Sequence, residues 1–229
     1  MNDRRDRSKH DDGAESELHA ESHFPALVTL LAVGGLYAAL PFALVGGAER
    51  WILLCVVGAL LVPTIIARVR GRHSLNQTFG YILNGVVTVA LIWSVALLVK
   101  TMFGRAASGA QLLLSTIAIW ISNVLVFASW YWRLDAGGPH QRDVKPRHDR
   151  GAFLFAQMQM EPEAKMIAGE ERWSPNFVDY LFLAFHTSTA FSPTDAPVLS
   201  RWAKILMMIQ TSISLLILTF LAARAFDLL

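Results

Sequence analysis

The most regular pattern in the sequence is a series of long apolar blocks separated by short polar segments. Five blocks are long enough, or nearly so, for the roughly 20 residues that a membrane-crossing helix needs: 24–45, 51–67, 79–102, 110–132 and 199–223. A sixth block, residues 177–187, covers only about half of the ~30 Å hydrocarbon core at ~1.5 Å per residue. The pattern predicts an all-α membrane protein with five transmembrane helices and a re-entrant, pore-type half-helix before the last span.

The same pattern divides the chain into four parts. Residues 1–22 are polar and of mixed charge, which predicts a disordered tail. Residues 23–132 form a region of four transmembrane helices. Residues 133–175 form an extramembrane loop with an apolar piece, 153–160, that we expect to lie at the membrane interface or to cover the hairpin. Residues 176–229 combine the half-helix with the final span in a pore-like module.

The candidate functional residues lie at the end of the short apolar block. They are His186, Thr187, Ser188, Thr189, Ala190, Phe191, Ser192, Thr194 and Asp195. The carboxyl end of a half-helix carries partial negative charge, so hydroxyl groups there favour a cation. Asp195 would add a ring of charge if several copies met on one axis. An alternative interpretation is an ordinary connection in which Ser-Pro-Thr-Asp ends one helix and caps the next.

Three polar side chains inside the apolar blocks need partners. Asn84 and Asn123 are costly in lipid, so each is expected to face another helix, and a structural hydrogen bond is favoured over a ligand role. His186 fits a buried neutral imidazole better than a proton relay or pH gate, although its position permits either.

Composition excludes several classes of function. Hydrophobic residues make up 54% of the chain and charged residues 17%, and the net charge is +2 with no basic face, which argues against nucleic-acid binding. Cys55 is the single cysteine, so no intramolecular disulfide can form. No phosphate-binding glycine loop, nucleophile elbow, metal-ligand spacing or pair of apolar-block carboxylates is present. We therefore expect no enzyme activity, no cofactor and no metal site.

The distribution of Lys and Arg predicts the orientation. The tail, the loop at residues 68–72 and the loop at 133–175 carry most of the positive charge, so the N-terminus and the long loop are expected to be cytoplasmic. The half-helix would then enter from the cytoplasm. The remaining interpretations are a short sixth span through a locally thin membrane or a segment unrelated to pore hairpins.

The stretch from Phe177 through Asp179-Tyr180 and Thr187 to Asp195, with Ser200-Arg201 and the closing helix, resembles a bacterial family of predicted integral membrane proteins known as DUF1345. The likeness covers most of the chain and implies a location in the bacterial inner membrane, but the family supplies no activity. More remotely, the segment is similar to the pore module of two-helix potassium channels. That likeness makes residues 110–132 the outer helix, 177–186 the pore helix, 187–192 the filter position and 199–223 the inner helix.

One departure from the potassium-channel pattern changes the expected chemistry. Thr189-Ala-Phe-Ser-Pro193 contains no glycine, whereas a filter of backbone carbonyls depends on glycine conformations. Hydroxyl groups and Asp195 are therefore the expected ion contacts.

These features support two hypotheses. In the first, the protein is a degenerate channel-like protein that conducts monovalent cations through a homo-oligomeric pore in the lipid bilayer. In the second, it is a non-conducting scaffold or accessory subunit that binds another membrane protein through the 133–175 loop.

Overall fold

A computed structural model describes residues 73–102, 109–143, 151–169, 173–189 and 196–227, together with isolated positions between residues 32 and 70. The described part is helical, and its one β-bridge joins Phe153 to Val198. The helices are α1 (His73–Met102), α2 (Gly109–Leu134), α3 (Pro139–Asp143), α4 (Ala156–Gln159), α5 (Pro162–Ala168), α6 (Phe177–Thr189) and α7 (Arg201–Asp227), with a 3₁₀ turn (Asp135–Gly137) after α2.

Three of these helices are long and apolar enough to cross a membrane. The candidate spans are Gln77–Thr101, Ala110–Gly137 and Arg201–Ala223. These three predicted spans are confirmed as such helices, and the chain is a membrane protein by this criterion. The predicted spans at 24–45 and 51–67 and the predicted tail at 1–22 fall largely or wholly outside the described residues.

The last helix begins two residues later than the apolar pattern predicted. Ser200 caps the helix, since its hydroxyl accepts a hydrogen bond from the backbone N–H of Ala203 at 3.3 Å. Leu199 lies outside the helix, and its backbone N–H donates to the carbonyl oxygen of Ala152 at 2.7 Å. The backbone N–H of Leu154 in turn donates to the carbonyl of Pro197 at 2.9 Å. Hydropathy along the chain could not reveal this pairing, since the two paired segments lie more than forty residues apart in the sequence.

Helix α2 is the centre of the described fold, since α1, α6 and α7 all pack against it. Within its candidate span 61% of the most apolar window is buried, compared with 39% for α1 and 17% for α7. Helix α7 is therefore held along a narrow stripe that contains Ala203, Gln210, Ser214 and Ile217. Partly buried side chains such as Trp202, Leu206 and Ile213 flank this stripe, and much of the remaining surface of α7 is exposed, as at Ile205, Met208 and Leu215.

The contact between α1 and α2 contains polar bonds at several positions along the two helices. The buried Asn84 accepts a hydrogen bond from Ser129 at 3.0 Å, and the indole N–H of Trp130 donates to Thr88 at 2.8 Å. Near the end of α2 the phenol of Tyr81 donates to the carbonyl of Arg133 at 3.3 Å. The two antiparallel helices are thus fixed in register at three levels.

Part of the segment that the sequence predicts to be an extramembrane loop lies in the protein core. Phe153 is fully buried, and its ring meets those of Tyr131, Tyr180 and Trp202 at centroid distances of 5.2, 6.2 and 6.1 Å. These three rings belong to α2, α6 and α7. The loop segment therefore covers the place where the three helices meet, and edge-to-face pairs of this kind add to the stability that burial gives.

The close packing of Gly80 in α1 against Arg133 predicts how substitutions in α1 change the stability of the protein. A methyl group at Gly80 would overlap the buried guanidinium of Arg133, whereas one at Gly85 on the same helix would meet nothing within 4 Å. We expect Gly80→Ala to lower the melting temperature of the purified protein. Gly85→Ala is the matched control and should leave stability unchanged or raise it by about 0.5–1 kcal/mol through helix propensity. Equal melting temperatures for the two variants would contradict this packing.

Candidate functional site

The half-helix predicted from the sequence is α6, and its start is set by a local capping box. The backbone N–H of Val178 donates to the side-chain carbonyl of Asn176 at 2.8 Å, and the N–H of Asn176 donates to the carboxylate of Asp179 at 2.7 Å. This reciprocal pair satisfies donors that a helix start otherwise leaves unpaired. Asp179 is therefore a capping residue in this fold.

Helix α6 is shorter than the helices that hold it. Its 13 residues extend about 20 Å, against a hydrocarbon core of roughly 30 Å. The likeness to potassium-channel pore modules implied that the helix ends at His186, with Thr187 to Ser192 following in a filter position. The structure instead places Thr187, Ser188 and Thr189 in the last helical turn, because their hydroxyl groups are satisfied there.

Helix α6 packs antiparallel to α2. At its beginning the ring of Phe177 meets that of Trp132, with 6.1 Å between centroids. At its end Ser188 reaches Asn123, nine residues further back along α2. The end of α6 therefore lies near the middle of α2, and its beginning lies beside the carboxyl end of α2.

Between α6 and α7 the chain returns to the carboxyl end of α2. Val198 pairs with Phe153, and Trp202 in the first turn of α7 also contacts Phe153. The residues between Thr189 and Ala196 lie outside the described part of the chain. The seven Cα-to-Cα steps from Thr189 to Ala196 can span at most about 24 Å, which exceeds the length of α6.

A buried polar cluster joins the end of α6 to both long helices. Asn123 donates to the hydroxyl of Ser214 at 2.7 Å and to that of Ser188 at 3.3 Å, and the two serine hydroxyls are also hydrogen-bonded to each other. All three side chains are buried. The carbonyl oxygen of Asn123 has no hydrogen-bond partner among the described residues. Interhelical bonds of this kind are typical of membrane helix contacts.

One helical turn before Ser214 in α7, the side chain of Gln210 links the same three helices. The buried Gln210 of α7 accepts a hydrogen bond from the phenol of Tyr131 in α2. Its amide N–H donates to the carbonyl of Ala184 in α6 at 2.8 Å. Both the oxygen and the nitrogen of the Gln210 side-chain amide are therefore hydrogen-bonded, which explains why a glutamine is tolerated at this buried position in an apolar helix.

A second buried cluster holds the beginning of α6. The carboxylate of Asp135 is fully buried and accepts hydrogen bonds from the phenol of Tyr180, at 2.7 Å, and from the backbone N–H of Ala152. The buried guanidinium of Arg142 donates to the carbonyls of Trp132, at 2.8 Å, and Asp135, at 3.0 Å. The loop, α2 and α6 are thus connected by bonds to charged groups, which are stronger than neutral ones.

The guanidinium of Arg142 is also covered by aromatic rings. Its central carbon lies 5.1 Å from the ring centroid of Tyr180 and 5.8 Å from that of Trp132. The sequence pattern places Asp135 and Arg142 in an extramembrane loop and indicates no role for either. The available signal was the position of Asp135, three residues after a Trp-Tyr-Trp run at the end of a span. Its partner Tyr180 lies 45 residues away, too far along the chain to be identified from a local pattern.

The structure separates the predicted site residues into three groups. Thr187 and Ser188 are buried, and the hydroxyl of Thr187 donates to the carbonyl of Leu183 at 2.8 Å. Thr189 is exposed and His186 is half-buried, its ring 4.3 Å from that of Phe182. The third group, Ala190, Phe191, Ser192, Thr194 and Asp195, lies outside the described residues.

The two asparagines singled out in the sequence occupy different places. Asn123 belongs to the cluster at the end of α6, whereas Asn84 lies in the contact between α1 and α2. Both face another helix. Among the described residues no group of three or more His, Cys, Asp or Glu side chains is arranged to hold a metal ion.

No protein-family model matches this chain, and neither a curated protein nor a solved structure is similar to it at the level of a significant match. Its function is therefore inferred from the geometry of α2, α6 and α7.

The cluster around Asp135 makes a prediction about stability. Tyr180→Phe removes one donor to a buried carboxylate, and the loss of a bond to a charged group costs about 1.5–3 kcal/mol. We expect the variant to melt at a lower temperature in detergent than the wild type. Tyr81→Phe is the control, since it removes a phenol that donates to a backbone carbonyl at a half-buried position. The role assigned to Asp135 would be wrong if the control were the more destabilised protein.

Proposed function

We propose that α2, α6 and α7 form a pore module in a multi-pass membrane protein that passes monovalent cations through a homo-oligomer. The observation that carries the proposal is the return of the chain. Helix α6 begins beside the carboxyl end of α2, and Val198 lies at that end again, through its pairing with Phe153. In a membrane, a segment that enters and leaves on the same side is a re-entrant hairpin.

The half-length of α6 supports a cation site at its end. The last carbonyls of a helix lack intrahelical donors and carry partial negative charge, so the end of α6 favours a cation within the low-dielectric core. Because Thr187 and Ser188 are buried, the proposed ion contacts are reduced to Thr189, Ser192 and Thr194, with Asp195 as the source of charge. Thr189 is exposed, and although its hydroxyl donates to the carbonyl of Phe185 at 2.9 Å, its oxygen can still accept a cation. These groups replace the carbonyl rings of a glycine-containing filter.

The surface of α7 supports assembly into an oligomer. Ser212 and Thr219 are exposed and seven residues apart, so they lie on one face of the helix. Their hydroxyls donate to the carbonyls of Met208 and Leu215 at 2.8 and 2.7 Å. Each hydroxyl oxygen can still accept a hydrogen bond, so this face can contact water in a path between copies. One half-helix and one inner helix cannot enclose such a path, so several copies are required.

The same proposal includes the relationship to known families. We propose that the chain belongs to the DUF1345 family and is remotely related to the pore module of potassium channels. We also propose that it lies in the bacterial inner membrane with a cytoplasmic N-terminus. The arrangement of a long helix, a half-helix and a second long helix supports the channel-like part of the resemblance.

Flux measurements test the pore directly. Protein reconstituted into liposomes should pass potassium or sodium ions above the rate of empty liposomes. Asp195→Asn should lower the flux about tenfold if the carboxylate stabilises a cation at the site by ~1.4 kcal/mol. Thr189→Val should lower it further or alter the preference between the two ions.

Glu163→Gln is the matched control for charge, because Glu163 is an exposed acid on the short helix α5. It should conduct like the wild type. A wild-type flux no greater than that of empty liposomes would contradict the proposed function.

A scaffold function is the second candidate, and one observation favours it. On the short helix α5, Ile167 is 89% exposed and Met166 is 65% exposed. Neighbouring Glu163 is also exposed, so the helix presents apolar and acidic side chains together. This surface belongs to the loop that the sequence assigned to partner binding.

The scaffold candidate predicts a defined loss of binding. Replacing Met166 and Ile167 by serine should remove a membrane protein that co-purifies in fixed ratio with the wild type, since the apolar contact is lost. Ala164→Ser, at an exposed position on the same helix, should retain the partner. The scaffold function would be contradicted if the ratio stayed the same in both variants.

A further inference from the structure

An apolar groove of about 410 Å³ lies between α2 and α6. Its walls include Trp120, Ile121 and Leu125 from α2 and Leu181, Phe182 and Phe185 from α6. The rings of Trp120 and Phe185 meet edge to face, with centroids 5.8 Å apart. The volume is within the range of pockets that bind small ligands, and no part of the proposed pore uses this groove.

The position of the groove places it at the depth of lipid chains. The α2 wall comes from the middle of the candidate span Ala110–Gly137. The α6 wall is a stripe of exposed side chains, with Val178, Phe182 and Phe185 57%, 55% and 46% exposed. Because these positions follow helical spacing, they form one continuous face. This face is on the outside of the three-helix module, opposite the buried polar cluster.

The chemistry of the walls selects the occupant. Every side chain that lines the groove is aliphatic or aromatic. The indole nitrogen of Trp120 has no hydrogen-bond partner among the described residues, but it is buried and so is not accessible from the groove. Water gains no hydrogen bonds in such a space. Hydrocarbon fits it, because close contact with apolar walls provides dispersion energy that an empty groove forfeits.

A second protein helix fits the groove less well than a lipid chain. Contacts between membrane helices depend on small residues that let backbones approach and on polar groups that bond across the contact, because lipid competes equally for apolar surface. The lining contains neither glycine, alanine, serine nor threonine. Its bulky side chains instead keep any incoming backbone at a distance.

We propose that the groove between α2 and α6 is a binding site for one acyl chain of a membrane phospholipid. The bound chain fills the side of the half-helix that the rest of the described protein leaves uncovered. It differs from surrounding lipid in being held on two walls and against the Trp120 ring. The site does not depend on ion conduction and is tested without measuring flux.

The test uses the retention of a brominated lipid after detergent exchange. Protein is reconstituted in phosphatidylethanolamine and phosphatidylglycerol vesicles whose chains carry bromine near their middle, then extracted and washed extensively in detergent. Bromine quenches tryptophan fluorescence on contact. The contribution of Trp120 is the difference between the wild type and Trp120→Phe. That of Trp93, which is 60% exposed on α1, is obtained from Trp93→Phe and is the control for surrounding lipid.

We expect Trp120 to remain mostly quenched after washing while Trp93 recovers, with about one phospholipid phosphorus retained per chain. Ile121→Phe fills the groove and should restore Trp120 fluorescence and release that lipid. Full recovery of Trp120 alongside Trp93 in the wild type would overturn the proposal, because only surrounding lipid would then contact the groove.

One further result would also overturn it. If Trp120 is not quenched even before washing, and Phe182→Cys in a Cys55→Ser background forms a disulfide between copies, the occupant is a second copy of the chain. The wild-type measurement decides the question even if Ile121→Phe fails to fold.

Discussion

The described fold depends on the buried polar hydrogen bonds that hold α6. This helix is too short to be fixed in a membrane by its own apolar length. A full span is fixed by the match between its apolar length and the hydrocarbon core, whereas α6 has 13 residues. It is held instead at both ends by buried polar bonds. Asp135 binds Tyr180 at its beginning, and Asn123 and Ser214 bind Ser188 at its end.

These two clusters differ in energetic character. The Asp135 and Arg142 cluster buries charged groups, which is costly unless their hydrogen bonds are made, so its value lies in specifying one arrangement of loop and helices. The serine and asparagine cluster is neutral and smaller in cost. Its hydrogen bonds link α6 to α2 and α7 at a level of the fold where no charged side chain is described. Gln210 links the same three helices one helical turn away.

The bonding of α6 also divides its surface into different roles. The hydroxyls of Thr187 and Ser188 serve the interior of the chain. Thr189 is exposed at the end, where the partial charge of the helix is concentrated. The outward, aromatic face lines the groove against α2. Thr189 ends this same face, because it follows Phe185 by four residues. The inward face therefore holds α6 in the fold, while the proposed ion contact and the proposed lipid groove lie at different positions along the outward face.

The sequence by itself determined the long apolar helices and the short one, since hydropathy and length are sums over neighbouring residues. It also contained the capping box at Asn176 and Asp179, which acts over three residues. Only the tertiary structure decided that Thr187 and Ser188 face inward, that Asp135 is buried and that Phe153 enters the core. Their partners lie far away in sequence, as Asn123 and Ser214 do at a separation of 91 residues, and no local pattern encodes which distant group completes a buried hydrogen bond.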